Sequence, residues 1–134
     1  CRSPCDNRPM LLSQDPVARA LALEEGLPRQ VLLELQESLG VTQGELARLL
    51  RTTPRTLQRQ GERLSPELSD RLYRLYRLFE RAVLFHGDAS RARRFLRTPN
   101  PALGGKSPLE LSVNEAGLEA VFDLLDNLEE GVYL

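Results

Sequence analysis

Cysteine, histidine and long apolar runs are what this 134-residue sequence has least of. Two cysteines, Cys1 and Cys5, and one histidine, His86, are too few for a disulfide framework or a closed four-ligand zinc site. No apolar run approaches the roughly 20 residues that cross a bilayer, so no membrane role is expected. The first apolar pair, Leu11 and Leu12, is too short for the core of a secretory signal, and a cytoplasmic location is the expectation. Residues 1–9, before Met10 opens a more protein-like stretch, are expected to be a processing or cloning remnant outside the fold. Gly104 and Gly105 lack the surrounding spacing of a P-loop or a dinucleotide-binding turn. With no recognisable nucleophile or metal set either, neither an enzyme nor a cofactor is expected.

Charge is plentiful and unevenly placed. Residues 1–47 hold 4 Arg against 7 acids, residues 48–97 hold 13 Arg against 5 acids, and residues 98–134 hold Lys106 against 7 acids, so the net charge of -1 conceals a basic middle. Such a middle is an electrostatic footprint for phosphate, and an acidic end beside it folds back on the basic surface or meets a basic partner. Solvated helix faces produce the same count, so charge alone leaves both readings open.

Helix starts are marked by capping side chains followed by proline or an acid. Thr42-Gln43-Gly44-Glu45 and Ser107-Pro108-Leu109-Glu110 read as capping boxes, Thr53-Pro54 and Ser65-Pro66 open two further helices, and Asp88 and Asn114 cap two more. Between them the apolar spacing is helical, as in Leu68, Leu72, Leu75, Phe79, Ala82 and Val83, and no stretch alternates with period two. The fold class is therefore all-α. Helices are predicted at 15–25, 29–39, 43–50, 54–60, 66–86, 89–97, 108–112 and 115–129. His86, beside Gly87 at the end of the longest, reads as a residue that complements the helix dipole.

Thr42 to Arg63 has the layout of a helix-turn-helix, in which the first helix crosses the backbone and the second lays its N-terminal side chains along base edges. Leu57 is predicted to anchor the second helix inward, and Gly44 to let another backbone approach the first. Thr42, Gln43, Thr53, Arg55, Thr56, Gln58 and Arg59 are the candidate DNA-binding residues, since arginine pairs bidentately with guanine and glutamine with adenine. Two short helices joined by a tight turn also occur in proteins that never meet DNA. Thr98 to Pro108 packs three prolines and two glycines into what must be a shaped turn or loop, with Leu103 either serving a partner or, as for most single leucines, plugging its own core. The chain closes with an apolar tail after Gly131, which reads as a helix stop.

Several stretches carry a resemblance: Val41-Thr42-Gln43 with Thr56-Leu57, Leu64-Ser65-Pro66-Glu67-Leu68-Ser69-Asp70-Arg71-Leu72, Asn100 to Leu109, Gly117, and Gly131-Val132-Tyr133. Over residues 29–134 the chain resembles the Xre/MbcA/ParS-type antitoxins of bacterial type II toxin-antitoxin systems. The resemblance implies an Xre-like helix-turn-helix half followed by a small helical toxin-binding half, a homodimer, and two partners, operator DNA and a RES-domain toxin that consumes NAD. The antitoxin would occlude that toxin's active site and repress its own operon. It also implies toxin contacts from Asn100, Leu103, Gly104 and Lys106 and from the tail Gly131, Val132, Tyr133 and Leu134. Phe95 stands where the family commonly has Trp, and Gln60 where it often has a second Arg. The division expected is 1–28 as an N-terminal extension with a short helix, 29–64 as the helix-turn-helix region, and 65–134 as the connecting helix and toxin-binding domain. A stand-alone dimeric transcriptional regulator is the alternative.

Overall fold

The computed structural model describes residues 15–130, so Cys1, Cys5 and the tail Gly131 to Leu134 lie outside the described residues. Eight α-helices are present among them: α1 (Pro16–Glu25), α2 (Arg29–Leu39), α3 (Gln43–Leu49), α4 (Pro54–Arg59), α5 (Pro66–His86), α6 (Ala89–Arg97), α7 (Pro108–Leu111) and α8 (Glu115–Glu129). Every predicted span is matched to within one residue at either end. The caps explain this legibility, because every start but that of α2, which follows Pro28, is marked by a side chain within three residues of the N-H it serves. Thr42 accepts from the Glu45 N-H at 3.1 Å while Glu45 accepts from the Thr42 N-H at 3.0 Å. Ser107 and Glu110 exchange the same pair at 3.2 and 3.1 Å. One feature differs from the predicted loop: Pro101–Leu103 forms a single 3-10 turn, since Asn100 caps it and Pro101 supplies the first helical φ.

Helix α5 is the axis of the fold and packs against α1, α2, α6 and α8. Leu68, Leu72, Leu75, Leu78 and Ala82 lie along its buried face at helical spacing. They meet Leu35, Leu39, Leu46, Leu57, Leu96, Leu118, Val121 and Leu125 in one core that runs through both halves of the chain. Complete burial of each such leucine contributes on the order of 2 kcal/mol, so this apolar continuity is the main term holding the halves together.

Two glycines are required by close approaches. Gly26 has φ +96°, and a Cβ there would collide with the Leu64 carbonyl oxygen. That approach lets the Leu64 N-H donate to the Leu27 carbonyl and the Arg29 N-H to the Glu62 carbonyl, each at 2.8 Å. Gly117 lies flat on the Leu111 carbonyl, where a Cβ would overlap backbone, so α7 and α8 can meet only with glycine at this position.

Two expectations are corrected. Gly44 admits no neighbouring backbone: it sits on the solvent side of the first turn of α3, and a Cβ there would meet only the Thr42 hydroxyl at 3.9 Å. His86 does not complement the dipole of α5. Its ring lies between Phe85 and Phe95, with centroids 4.9 and 5.1 Å away, and Nε2 is buried without a hydrogen-bond partner. Burial, and secondarily the positive charge of Arg91, push its pKa down, so it is neutral near pH 7 and brings no cation to the helix end.

The acidic end folds back on the basic middle. Arg74 meets Glu115 at 3.4 Å, Arg77 lies 3.8 Å from the same carboxylate, and Arg81 pairs with Asp126 and, at 2.6 Å, with Glu129. Among the described residues no helix is long and apolar enough to cross a membrane.

Candidate functional site

The exposed face of α4 follows from its start and its anchor. Thr53 accepts from the Thr56 N-H at 3.1 Å and Pro54 takes the first helical position, while Leu57, only 1% exposed, turns inward. With that face fixed, Arg55, Thr56, Gln58 and Arg59 all point to solvent. Neither Arg55 nor Arg59 has a side-chain hydrogen bond or ion pair with the described residues, so both heads are available to a ligand. Gln58 donates to Gln43 at 3.4 Å, which joins the reading face of α4 to the start of α3. The structure thus brings Gln43, Thr53, Arg55, Thr56, Gln58 and Arg59 onto one side of the molecule, with Thr42 exposed at the cap of α3.

This geometry is set by Arg29 of α2 and by arginines of the basic middle whose charge reads, in the sequence, as part of a phosphate footprint. Arg29 donates from α2 to the Leu57 and Gln60 carbonyls at 3.1 and 2.6 Å, closing the C-terminus of α4. Arg71 donates from α5 to the Leu50 carbonyl at 3.1 Å and reaches that of Arg51 at 3.5 Å. Arg51, in the turn between α3 and α4, has φ +56°, a left-handed conformation that costs a non-glycine residue about 1 kcal/mol or more. Arg71 therefore steadies a strained turn. Arg93 and Arg97 of α6 donate at 2.9 Å to the Ser38 and Gly40 carbonyls, and Arg97 also reaches Glu45 at 3.4 Å. With Arg63 on the Gly26 carbonyl at 2.8 Å and Arg74, Arg77 and Arg81 on carboxylates, seven of the thirteen arginines in residues 48–97 are engaged internally, which narrows the phosphate footprint. Gln60 is a structural residue here, donating to the Thr56 carbonyl and accepting from the Ser65 N-H at 2.9 Å. No periodicity announces such long-range contacts, which is why sequence reasoning missed them.

The second candidate surface is the loop after α6. The Asn100 side chain accepts from the Ala102 N-H at 2.9 Å, its carbonyl accepts from Leu103 and Gly105, and its N-H donates to the Lys106 carbonyl at 3.1 Å. Gly104 and Gly105 both have positive φ, at +69° and +82°. Asn100 to Lys106 is consequently one closed loop of fixed shape. Leu103, 6% exposed, packs into the chain's own core, so of its two readings the structure shows the inward one, and Gly104 and Lys106 form the exposed rim. Among the described residues no group of His, Cys, Asp or Glu is placed to hold a metal ion.

Comparison with known proteins assigns these two surfaces to two domains that meet within α5, between residues 77 and 78. Residues 18–77 match the antitoxin Xre-like helix-turn-helix domain, and residues 78–131 match the antitoxin Xre/MbcA/ParS C-terminal toxin-binding domain. A protein named Antitoxin Xre from Yersinia enterocolitica is 31% identical over 126 residues, covering 88% of this chain and 85% of the relative. Another Antitoxin Xre, from Photorhabdus laumondii, is 29% identical over 115 residues, or 82% and 77% of the two chains. With a helix-turn-helix domain in front, a toxin-binding domain behind, and relatives named as antitoxins rather than enzymes, the chain belongs to the Xre antitoxin family.

Proposed function

We propose that this antitoxin neutralises a RES-domain, NAD-consuming toxin by covering its active site, and that as a homodimer it represses its own operon through α3 and α4. The toxin surface in this reading is the rim of the Asn100 to Lys106 loop together with the tail Gly131, Val132, Tyr133 and Leu134. Leu103 contributes by anchoring the loop from within. The observation that carries the neutralising half is the match of residues 78–131 to a toxin-binding domain, combined with a loop closed at both ends by Asn100. A surface already held in shape loses little conformational entropy on binding. The observation behind the DNA half is the pair of unengaged, exposed guanidinium groups at Arg55 and Arg59.

Co-expression with the product of the adjacent gene, purification through a tag on one partner and an NAD-consumption assay test the reading. Co-elution with lost activity is the expected result; no complex, with tight binding to its own promoter, would favour a stand-alone regulator. Deleting Val132 to Leu134 should weaken inhibition while leaving thermal stability unchanged, and equal inhibition by the shortened chain would remove the tail from the mechanism. Arg55→Ala and Arg59→Ala should each weaken operator binding, by about 1–3 kcal/mol if the contact is bidentate to a base. An unchanged gel-shift titration for both would overturn the assignment of α4.

A further inference from the structure

A cleft of about 390 Å³ lies on the seam between the two halves, lined on one side by Val41, Glu45, Arg48 and Leu49 and on the other by Arg97, Lys106, Leu109 and Glu110 among others. Its charges are not equally available. Glu45 is occupied twice, by the Thr42 N-H and by Arg97, and Glu110 accepts from the Ser107 N-H. Those backbone hydrogen bonds hold both carboxyls below their ordinary pKa, so each stays ionised at neutral pH and remains committed to its cap. Arg48 and Lys106 face the same cleft from opposite halves and both are exposed; their charges act on the Glu110 carboxylate, and that of Arg48 on Glu45 as well, but neither head has a hydrogen bond or ion pair within 4 Å among the described residues. Three cations against two carboxylates leave the cleft with an excess of one positive charge, and Arg48 and Lys106 are the two cations there without a direct hydrogen-bonded partner among the described residues.

We propose that this seam cleft is an additional phosphate site for operator DNA, in which Arg48 of α3 and Lys106 of the C-terminal half hold one backbone phosphodiester between them. The inference rests on the DNA-binding reading of α3 and α4. In a helix-turn-helix the first helix crosses the DNA backbone while the second enters the groove, so the strand that passes α3 runs beside whatever flanks that helix. Here α3 is tied to the reading face of α4 through Gln43 and Gln58, and its other flank is the cleft. The toxin-binding half thereby adds to the operator footprint. Arg97 positions the pair, since its bonds to Gly40 and Glu45 fix α3 against the loop that Lys106 ends.

The test compares full-length wild type, Lys106→Gln, Arg48→Gln and Arg55→Ala in fluorescence anisotropy titrations. Each binds a fragment of the protein's own promoter and an unrelated duplex over a salt series. For Lys106→Gln and for Arg48→Gln we expect weaker binding to both duplexes and a log affinity against log salt slope shallower by roughly 0.9, the value of one lost phosphate contact. Arg55→Ala, in contrast, should lose affinity chiefly for the promoter. Thermal melts of all variants at wild-type temperature would exclude a folding origin. Unchanged affinity and slope in Lys106→Gln, while Arg55→Ala is impaired, would overturn the seam site and leave the α4 assignment standing. Lost toxin capture by Lys106→Gln with unchanged DNA binding would overturn it in favour of an acidic segment of the toxin. Wild-type protein that binds no promoter fragment, with or without toxin, would remove the DNA reading and the seam site together.

Discussion

The backbone of the helix-turn-helix half is where arginine side chains from several helices end: Arg29 of α2 closes α4, Arg71 of α5 holds the turn after α3, and Arg93 and Arg97 of α6 clamp the turn before it. Along the contact between α5 and α8, arginines meet carboxylates instead, with Arg74 and Arg77 on Glu115 and Arg81 on Asp126 and Glu129. The first arrangement satisfies carbonyls that helix ends leave without partners, where a missing bond exposes an otherwise unpaired acceptor. The second pairs partly exposed charges and contributes little per pair, about 0–1 kcal/mol. Arginines thus carry unequal structural weight according to what they meet. Among the cations this sorting leaves exposed for partners are Arg55 and Arg59 on α4 and Arg48 and Lys106 at the seam.

The comparison is sharpened most severely by glycine. Gly117→Ala places a Cβ on the Leu111 backbone and forces α7 and α8 apart, so a loss of about 3 kcal/mol is expected in urea denaturation. Gly44→Ala on the exposed side of α3 should move stability by less than about 0.5 kcal/mol. Comparable losses in both would show that the halves are equally intolerant and that the close approach of α7 to α8 is not special.

Arg71→Ala should cost about 2 kcal/mol, the worth of charge-assisted bonds to carbonyls, and should also weaken operator binding by loosening the turn at Arg51. Arg81→Ala is the matched control, an α5 arginine that meets α8 carboxylates, and should lower stability by under about 1 kcal/mol, with no effect on DNA. If Arg81→Ala were the costlier of the two, the ranking of carbonyl caps above surface pairs would be wrong for this protein.

The smallest effect concerns acid. His86 has its pKa lowered in the folded state, first by burial and then by Arg91, so the unfolded chain takes up the proton before the folded one does. Stability should therefore be intact above pH about 6.5 and decline as pH falls below that value toward the folded pKa. Glu45 and Glu110 act in a lower window, since carboxyls with depressed folded pKa values withdraw stability only below pH about 4.5. A His86→Phe variant should lose the decline that begins near pH 6.5 and keep the lower one; persistence of the upper decline would assign it to another group.

The sequence by itself determined the helices, their ends and the fold class, because a capping side chain acts within about three residues and an apolar stripe within about two turns. Thr42, Ser65, Asp88, Ser107 and Asn114 all begin helices in the structure as their local patterns predict. Only the tertiary structure decided which charges are free. The bonds of Arg29, Arg71 and Arg97 span 28, 21 and 57 residues to reach their carbonyls, a separation that leaves no periodic mark in the chain. The same holds for Leu103, which proline and glycine neighbours mark as a loop residue and which its core neighbours draw inward. His86 likewise reads as a helix-end cation from its place in the chain, and becomes a neutral ring once Phe95 closes over it from the next helix. Local chemistry is written where it acts, whereas the pairing of distant groups exists only after the helices have packed.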